Sequence, residues 1–165
     1  MIIKTELPDH RAAIWQLLDA AFPTRAEADL VDQLRAEGDL IFSLVALEDD
    51  LPIGHVAFSK MQTPARALGL APVAVAAHCR RRGIAAGLIE EGLSRSRDQG
   101  WEAVFVLGNP LYYRRFGFRE DLALPFRCRY SGPNLMALAL QANGLADSAG
   151  EAEYARAFLS LDDRD

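Results

Sequence analysis

Residues 70–88 read Leu-Ala-Pro-Val-Ala-Val-Ala-Ala-His-Cys-Arg-Arg-Arg-Gly-Ile-Ala-Ala-Gly-Leu. The apolar run over 68–76 predicts a strand buried on both faces. Arg80, Arg81 and Arg82 form a basic turn. Ile84, Leu88, Ile89 and Leu93 then recur at helical spacing, which predicts a helix over 84–98 stopped by Gly100. Residues 103–107, Ala-Val-Phe-Val-Leu, predict a second buried strand. A helix between two buried strands implies a parallel unit over 70–107. The first N–H groups of such a helix lack an internal partner and carry the positive end of its dipole, so the turn is an anion site. Gly83 lets a phosphate approach the backbone with no Cβ in the way. Ala85, Ala86 and Gly87 keep the surface shallow.

Working outward, residues 40–47 and 52–60 predict a hairpin closed by the polar turn Glu48-Asp49-Asp50. Gly54 marks a bulge or a close backbone approach. Toward the N-terminus, 2–7 predict a strand, and Asp9 is expected to cap a helix over 10–21 whose inner face is Ile14, Leu17, Leu18 and Ala21. Thr24-Arg-Ala-Glu27 has the form of a capping box opening a helix that ends at Gly38. After residue 107, a short helix is expected over 110–116 and strands over 118–128 and 134–141. Residues 142–165 stay unassigned. Hairpins on either side of a parallel unit make the class α/β (α+β) with a mixed sheet.

The length of 165 residues fits one domain, and a half-hydrophobic chain with 25% charged residues belongs to a compact protein with a sizeable core. A net charge of −5 argues against a nucleic-acid partner. No apolar run nears the ~18–20 residues a membrane helix needs. The start, MIIKTELPDH, has no signal-peptide core. Two cysteines, Cys79 and Cys128, favour a reducing compartment, so a cytoplasmic protein is expected. His and Cys residues show no metal-ligand spacing, and no metal is expected.

The anion site can be narrowed by motif. A P-loop needs Lys and Ser/Thr at the helix start, and neither is there. A dinucleotide fingerprint needs G-x-G-x-x-G after the first strand, and Gly83-Ile-Ala85-Ala-Gly87 does not fit. The pattern that fits is R/Q-x-x-G-x-G/A, as Arg80-Arg-Arg-Gly83-Ile-Ala85. A second segment, Leu107-Gly-Asn-Pro-Leu-Tyr-Tyr-Arg-Arg-Phe-Gly-Phe118, follows with a tyrosine four residues before Gly117. Together these resemble the GNAT (GCN5-related) N-acetyltransferase family, and within it the YhbS-like branch, closely over about 68–120 and more weakly over 24–60 and 134–140. The resemblance implies a GNAT acyl-CoA N-acyltransferase fold with about six or seven mostly antiparallel strands flanked by about four helices. It also implies acetyl-CoA as co-substrate. Backbone N–H groups of Arg81, Arg82, Gly83, Ile84, Ala85 and Ala86 would take the pyrophosphate, with Arg80 flanking. Val73 and Val75 would bond the pantetheine arm through their main chains, Asn109 would lie beside it, and Tyr113 would sit near the sulfur.

Direct acetyl transfer needs a neutral amine, a stabilised oxyanion and a proton for the departing thiolate. Tyr113 is the candidate acid. Its rival role is a core tyrosine with its hydroxyl at the rim. Residues 70–77 hold no glutamate to serve as base. Glu27 is substrate-side by resemblance, though a capping-box role is favoured for it. His55, on a strand, could face the cleft or be structural. Cys79 is read as structural. The expected function is N-acetyltransfer to a small-molecule or peptide amine by a monomer or homodimer, without nucleic acid or membrane. The rival is an acyl-CoA-binding sensor or partner module without turnover.

Overall fold

The computed structural model describes residues 1–145 and 149–162. Six strands form one sheet: β1 (Ile2–Thr5), β2 (Leu40–Glu48), β3 (Leu51–Lys60), β4 (Ala67–Val75), β5 (Ala103–Leu107) and β7 (Leu135–Ala139). They lie in the order β1-β2-β3-β4-β5-β7. Every neighbouring pair is antiparallel except β4 with β5. A separate parallel pair joins β6 (Phe126–Arg127) to β8 (Gly150–Glu151). The β2–β3 hairpin turns through Asp49 and Asp50, both at positive φ, 51° and 62°. This left-handed pair matches the twist of a tight hairpin, and aspartate tolerates it.

Helix α3 (Ile84–Asp98) covers one face of the sheet, setting Ile84, Leu88, Ile89 and Leu93 against Leu44, Ala46, Val56 and Phe58. Helices α1 (Arg11–Ala21) and α2 (Ala26–Glu37) cover the other, with Ile14, Leu18, Ala28 and Val31 against Val45, Leu47, Ala57 and Ala74. Along that second face the core continues through Leu30 and Leu34 to Phe105, Ala137, Tyr154 and Phe158. The closing segment supplies the last two residues. It pairs Glu153 with Thr63 and lays the 3-10 turn Arg156–Leu161 against α2.

Helix α3 and β5 have the bounds expected of them. Three expectations are corrected. Residues 118–128 are not one strand: Glu120–Ala123 form a helical turn, α5, and only Phe126–Arg127 pair. Glu120 and Asp121 favour a helix start, and Pro125 has no N–H for a ladder. Asp9 does not cap α1. Pro8–His10 form a 3-10 turn instead, and His10 Nδ1 accepts the Leu7 N–H at 3.0 Å. At α2 the cap position is Arg25, one residue later than expected, and Thr24 Oγ1 accepts the Ala26 N–H at 3.4 Å. Of the unassigned stretch 142–165, positions 146–148 and 163–165 lie outside the described residues.

Helix α3 sits close on the sheet. A Cβ built on Gly92 would stand 2.2 Å from the Phe58 ring, and one on Gly54 would stand 2.8 Å from Ile84. Gly54 thus allows a close approach, beside the register shift between Ala46 and Leu47. A glycine inside an exposed helix normally costs about 1 kcal/mol against alanine. At Gly92 the sign should reverse, because the added methyl must displace a fully buried ring. Gly92→Ala should lower unfolding stability by about 1–3 kcal/mol, read from urea midpoints at unchanged m-value.

Candidate active site

The site begins where β4 and β5 part. They pair only from Ala67–Gly69 to Ala103–Phe105. Beyond that point β5 stays with β7, while β4 follows β3. The register shift on β4 falls between Val73 and Leu70, where Pro72 has no N–H to offer. The Ala76 N–H points toward β3, to Ile53 O at 2.8 Å. Successive N–H groups of a strand alternate in direction, so those of Val75 and Val73 point to the open edge.

The basic turn closes the end of this edge. Arg81 and Gly83 both take left-handed backbone, at φ 65° and 76°. At Gly83 a Cβ would meet nothing within 4 Å, so glycine serves there through its φ as well as its open surface. The Gly87 N–H is bonded back to Gly83 O at 3.0 Å, leaving the N–H groups of Ile84, Ala85 and Ala86 as the free first turn of α3. A cleft of about 400 Å³ lies over them, lined by Val75, Arg80, Arg81, Gly83, Tyr112 and Arg115 among others. The Arg82 guanidinium turns away and pairs with Glu48 of the β2–β3 turn, whose carboxyl it holds below the usual range. What Arg82 offers this cleft is its backbone. Cys79 is fully buried beneath the turn.

Helix α4 (Pro110–Tyr113) follows β5. Asn109 caps it, its Oδ1 accepting the Leu111 N–H at 3.0 Å, so that side-chain oxygen is engaged by the helix. Two adjacent tyrosines then serve two clefts. Tyr112 faces the basic turn, with the Arg115 guanidinium 4.5 Å above its ring. Tyr113 is 9% exposed, packs edge-on to Phe118, and lines a second cleft of about 230 Å³. Burial, and then the neighbouring Tyr112, push its phenol up to about 12. Val73, Ala71 and Leu107 share that second cleft with Glu27 and Phe22 from the α1–α2 region.

Of the expected residues, Arg80, Arg81, Gly83, Ile84, Ala85, Ala86 and Val75 come together at the first cleft, and Val73, Tyr113 and Glu27 at the second. His55 joins neither. It is 0% exposed within β3, between Val45 and Ala74, and burial, with Arg35 second, pushes its imidazole down to about 3. Sequence reasoning missed Tyr112 and Arg115 at the first cleft and Leu161 at the second. The i, i+3 spacing of Tyr112 and Arg115 was the available signal for the former.

The sequence profile of the acetyltransferase (GNAT) family matches residues 10–118. The chain is 40% identical over 153 residues to YhbS, an uncharacterized N-acetyltransferase of Escherichia coli K12, covering 90% of each chain. It belongs to the GNAT acetyltransferase family. Among solved structures, that of Escherichia coli YhbS in complex with CoA matches with a TM-score of 0.90 at 36% identity, covering 96% of this chain and 91% of that one. A GNAT acetyltransferase of Brucella melitensis in complex with acetyl-CoA matches with a TM-score of 0.81 at 33% identity, covering 95% and 97%. The mixed six-stranded sheet is thus the GNAT fold, and the protein is an acetyltransferase. No helix among the described residues is long and apolar enough to cross a membrane.

All four tyrosines have their phenols raised, Tyr113 to about 12 from an ordinary 10. An acid whose folded value is raised stabilises the fold fully below its unfolded value and loses that contribution as pH climbs to the folded one. The Tm of the GNAT domain should therefore fall as pH rises from about 10 toward about 12, and Tyr113→Phe should make the fall shallower, in a pH series by calorimetry.

Proposed function

We propose that the protein transfers an acetyl group from acetyl-CoA directly to a primary amine, as a single domain acting in the cytoplasm. The observation that carries this reading is the open edge of β4, ending on the free first turn of α3 and bordered by Tyr113. An extended amide chain ending in phosphates fits such a row: N–H donors of Val73 and Val75 in line, then the unpaired N–H groups of Ile84, Ala85 and Ala86 at a helix N-terminus. Arg80, Arg81 and Arg115 add charge around the phosphate end.

Bound acetyl-CoA supplies the activated acetyl group: the amine nitrogen bonds to its carbonyl carbon and the carbon–sulfur bond breaks. The chain's own residues manage position and protons. An N–H on the open edge of β4 polarises the carbonyl oxygen. A phenol keeps its proton at neutral pH, and Tyr113 lines this cleft, so its O–H is available to the departing sulfur. Glu27 lines the acceptor side, where a carboxylate attracts an ammonium and accepts a proton from the attacking amine. A cleft holding both an acid and an acceptor-side carboxylate favours turnover over simple binding of the acyl-CoA.

Acetyl-CoA at a hundred times its Kd should stabilise the protein by about 2.7 kcal/mol, seen as a rise in Tm. Gly83→Glu, which puts a carboxylate over the free N–H groups, should erase that rise. Tyr113→Phe should keep acetyl-CoA affinity while lowering kcat by roughly 10²- to 10⁴-fold, measured by release of free CoA thiol over a panel of amines. Full activity in Tyr113→Phe would take Tyr113 out of the chemistry.

A further inference from the structure

The cleft beside Tyr113 is finished by a part of the chain far from it in sequence. Leu161, at the end of the 3-10 turn Arg156–Leu161, stands in its wall together with Phe22, Leu30 and Leu107. Contacts on both sides hold that turn in place. Phe158 is buried in the core beside Leu30 and Leu34 of α2. On the far side of Leu161, Asp162 accepts the Tyr130 O–H at 2.9 Å and pairs with Arg129 at 3.1 Å. Leu161 is thus pinned from both directions rather than draped over the opening.

The rest of the wall is chemically simple. Glu27 is the one residue of formal charge among the described residues lining this cleft, and Tyr113 is neutral. The remaining lining residues are apolar. A volume of about 230 Å³ is below the roughly 300–1,000 Å³ of sites for drug-sized ligands. Such a cleft suits a cation at one end and a small hydrocarbon body at the other. The described lining, with one carboxylate and few polar partners, matches a monoamine more closely than a polyamine or a polyhydroxylated amine.

We infer that the acceptor is a compact monoamine with an alkyl or aryl body, and that Leu161 sets the length of body the cleft admits. This rests on the transfer reading only for the chemistry; the fit of the amine is a matter of binding. Leu161 is a specificity-determining residue, and the Asp162 contacts to Tyr130 and Arg129 are its mooring.

The test uses the full chain saturated with CoA, to which n-alkylamines from propylamine to octylamine, and phenethylamine, are titrated calorimetrically. The same amines are then assayed for turnover with acetyl-CoA. Wild type should bind more tightly with each added methylene up to a limit, then weakly beyond it. Leu161→Ala should move the limit to longer amines, with a gain of at least about tenfold for the first amine past the wild-type limit. Leu161→Trp should move it to shorter ones, so a variant with a loosened turn cannot mimic both shifts. An identical limit in all three proteins would overturn the inference. Binding whose limit shifts without release of CoA would uphold it and sink the transfer reading. Turnover with an unshifted limit would do the reverse. If no amine binds the CoA-loaded protein, both fall.

Discussion

From Leu70 to Val75 the strand β4 runs with a neighbour on one side only. A row of backbone N–H groups left without a ladder is a cost in a protein interior, and native structures cover it or give it a partner. Here the row is kept open by construction. Pairing with β5 ends at Gly69, Pro72 breaks the regular alternation, and β5 is held away by its own ladder with β7. The low seat of α3 over Gly54 then brings the free N-terminal turn of that helix to the end of the same row. Edge, basic turn and helix start are one continuous set of donors, and the positions of Tyr112 and Tyr113 follow from where β5 is made to stop.

The electrostatics of that set owe more to the backbone than to charged side chains. The protein carries a net −5, yet the unpaired N–H groups that open α3 present the positive end of that helix's peptide dipoles to the first cleft. Arg82, last in the basic run, is turned toward Glu48 in a pair that solvent largely reaches, with side chains 45% and 41% exposed. Exposed pairs of this kind contribute little to stability. The pair's effect is to face one arginine away from the cleft while tying the β2–β3 turn to the loop before α3. Arg115, from the 3-10 turn Arg114–Phe116 that follows α4, stands on the side where Arg82 does not.

Much of this was legible in the sequence, for definable reasons. The helix Ile84–Asp98 and the strand Ala103–Leu107 are long or apolar enough for period and composition to agree, and the motif Arg80–Ala85 pointed to the turn that opens α3. Tyr113 could be named as a candidate because the motif counts it four residues before Gly117; the structure puts it at the end of α4, with the 3-10 turn Arg114–Phe116 in between. Positions set by tertiary contact were not legible. Nothing in the pattern around His55 distinguishes an inner from an outer strand face when both faces are apolar, and it proved fully buried away from the cleft. The stretch 118–128 carries strand-forming residues, but acidic residues at its start and Pro125 divert it. Leu161 could not be found at all, since its place in the site depends on Phe158 docking on α2 and on Asp162 reaching back to Tyr130.

The two ends of the active site are anchored very differently. The donor row ends at α3, which packs tightly on the sheet: one extra methyl at Gly92 collides with Phe58. The far wall of the Tyr113 cleft hangs on the short 3-10 turn Arg156–Leu161, held by Ala157 and Phe158 in the core and by the Asp162 carboxylate. Substitutions at Leu161 or Asp162 disturb few core neighbours, so they are cheap in stability compared with any change near α3. On the proposed reading, a lineage carrying this architecture can alter its acceptor amine by drift in the segment around Leu161, while the proposed acetyl-donor row stays tied to the packing of α3.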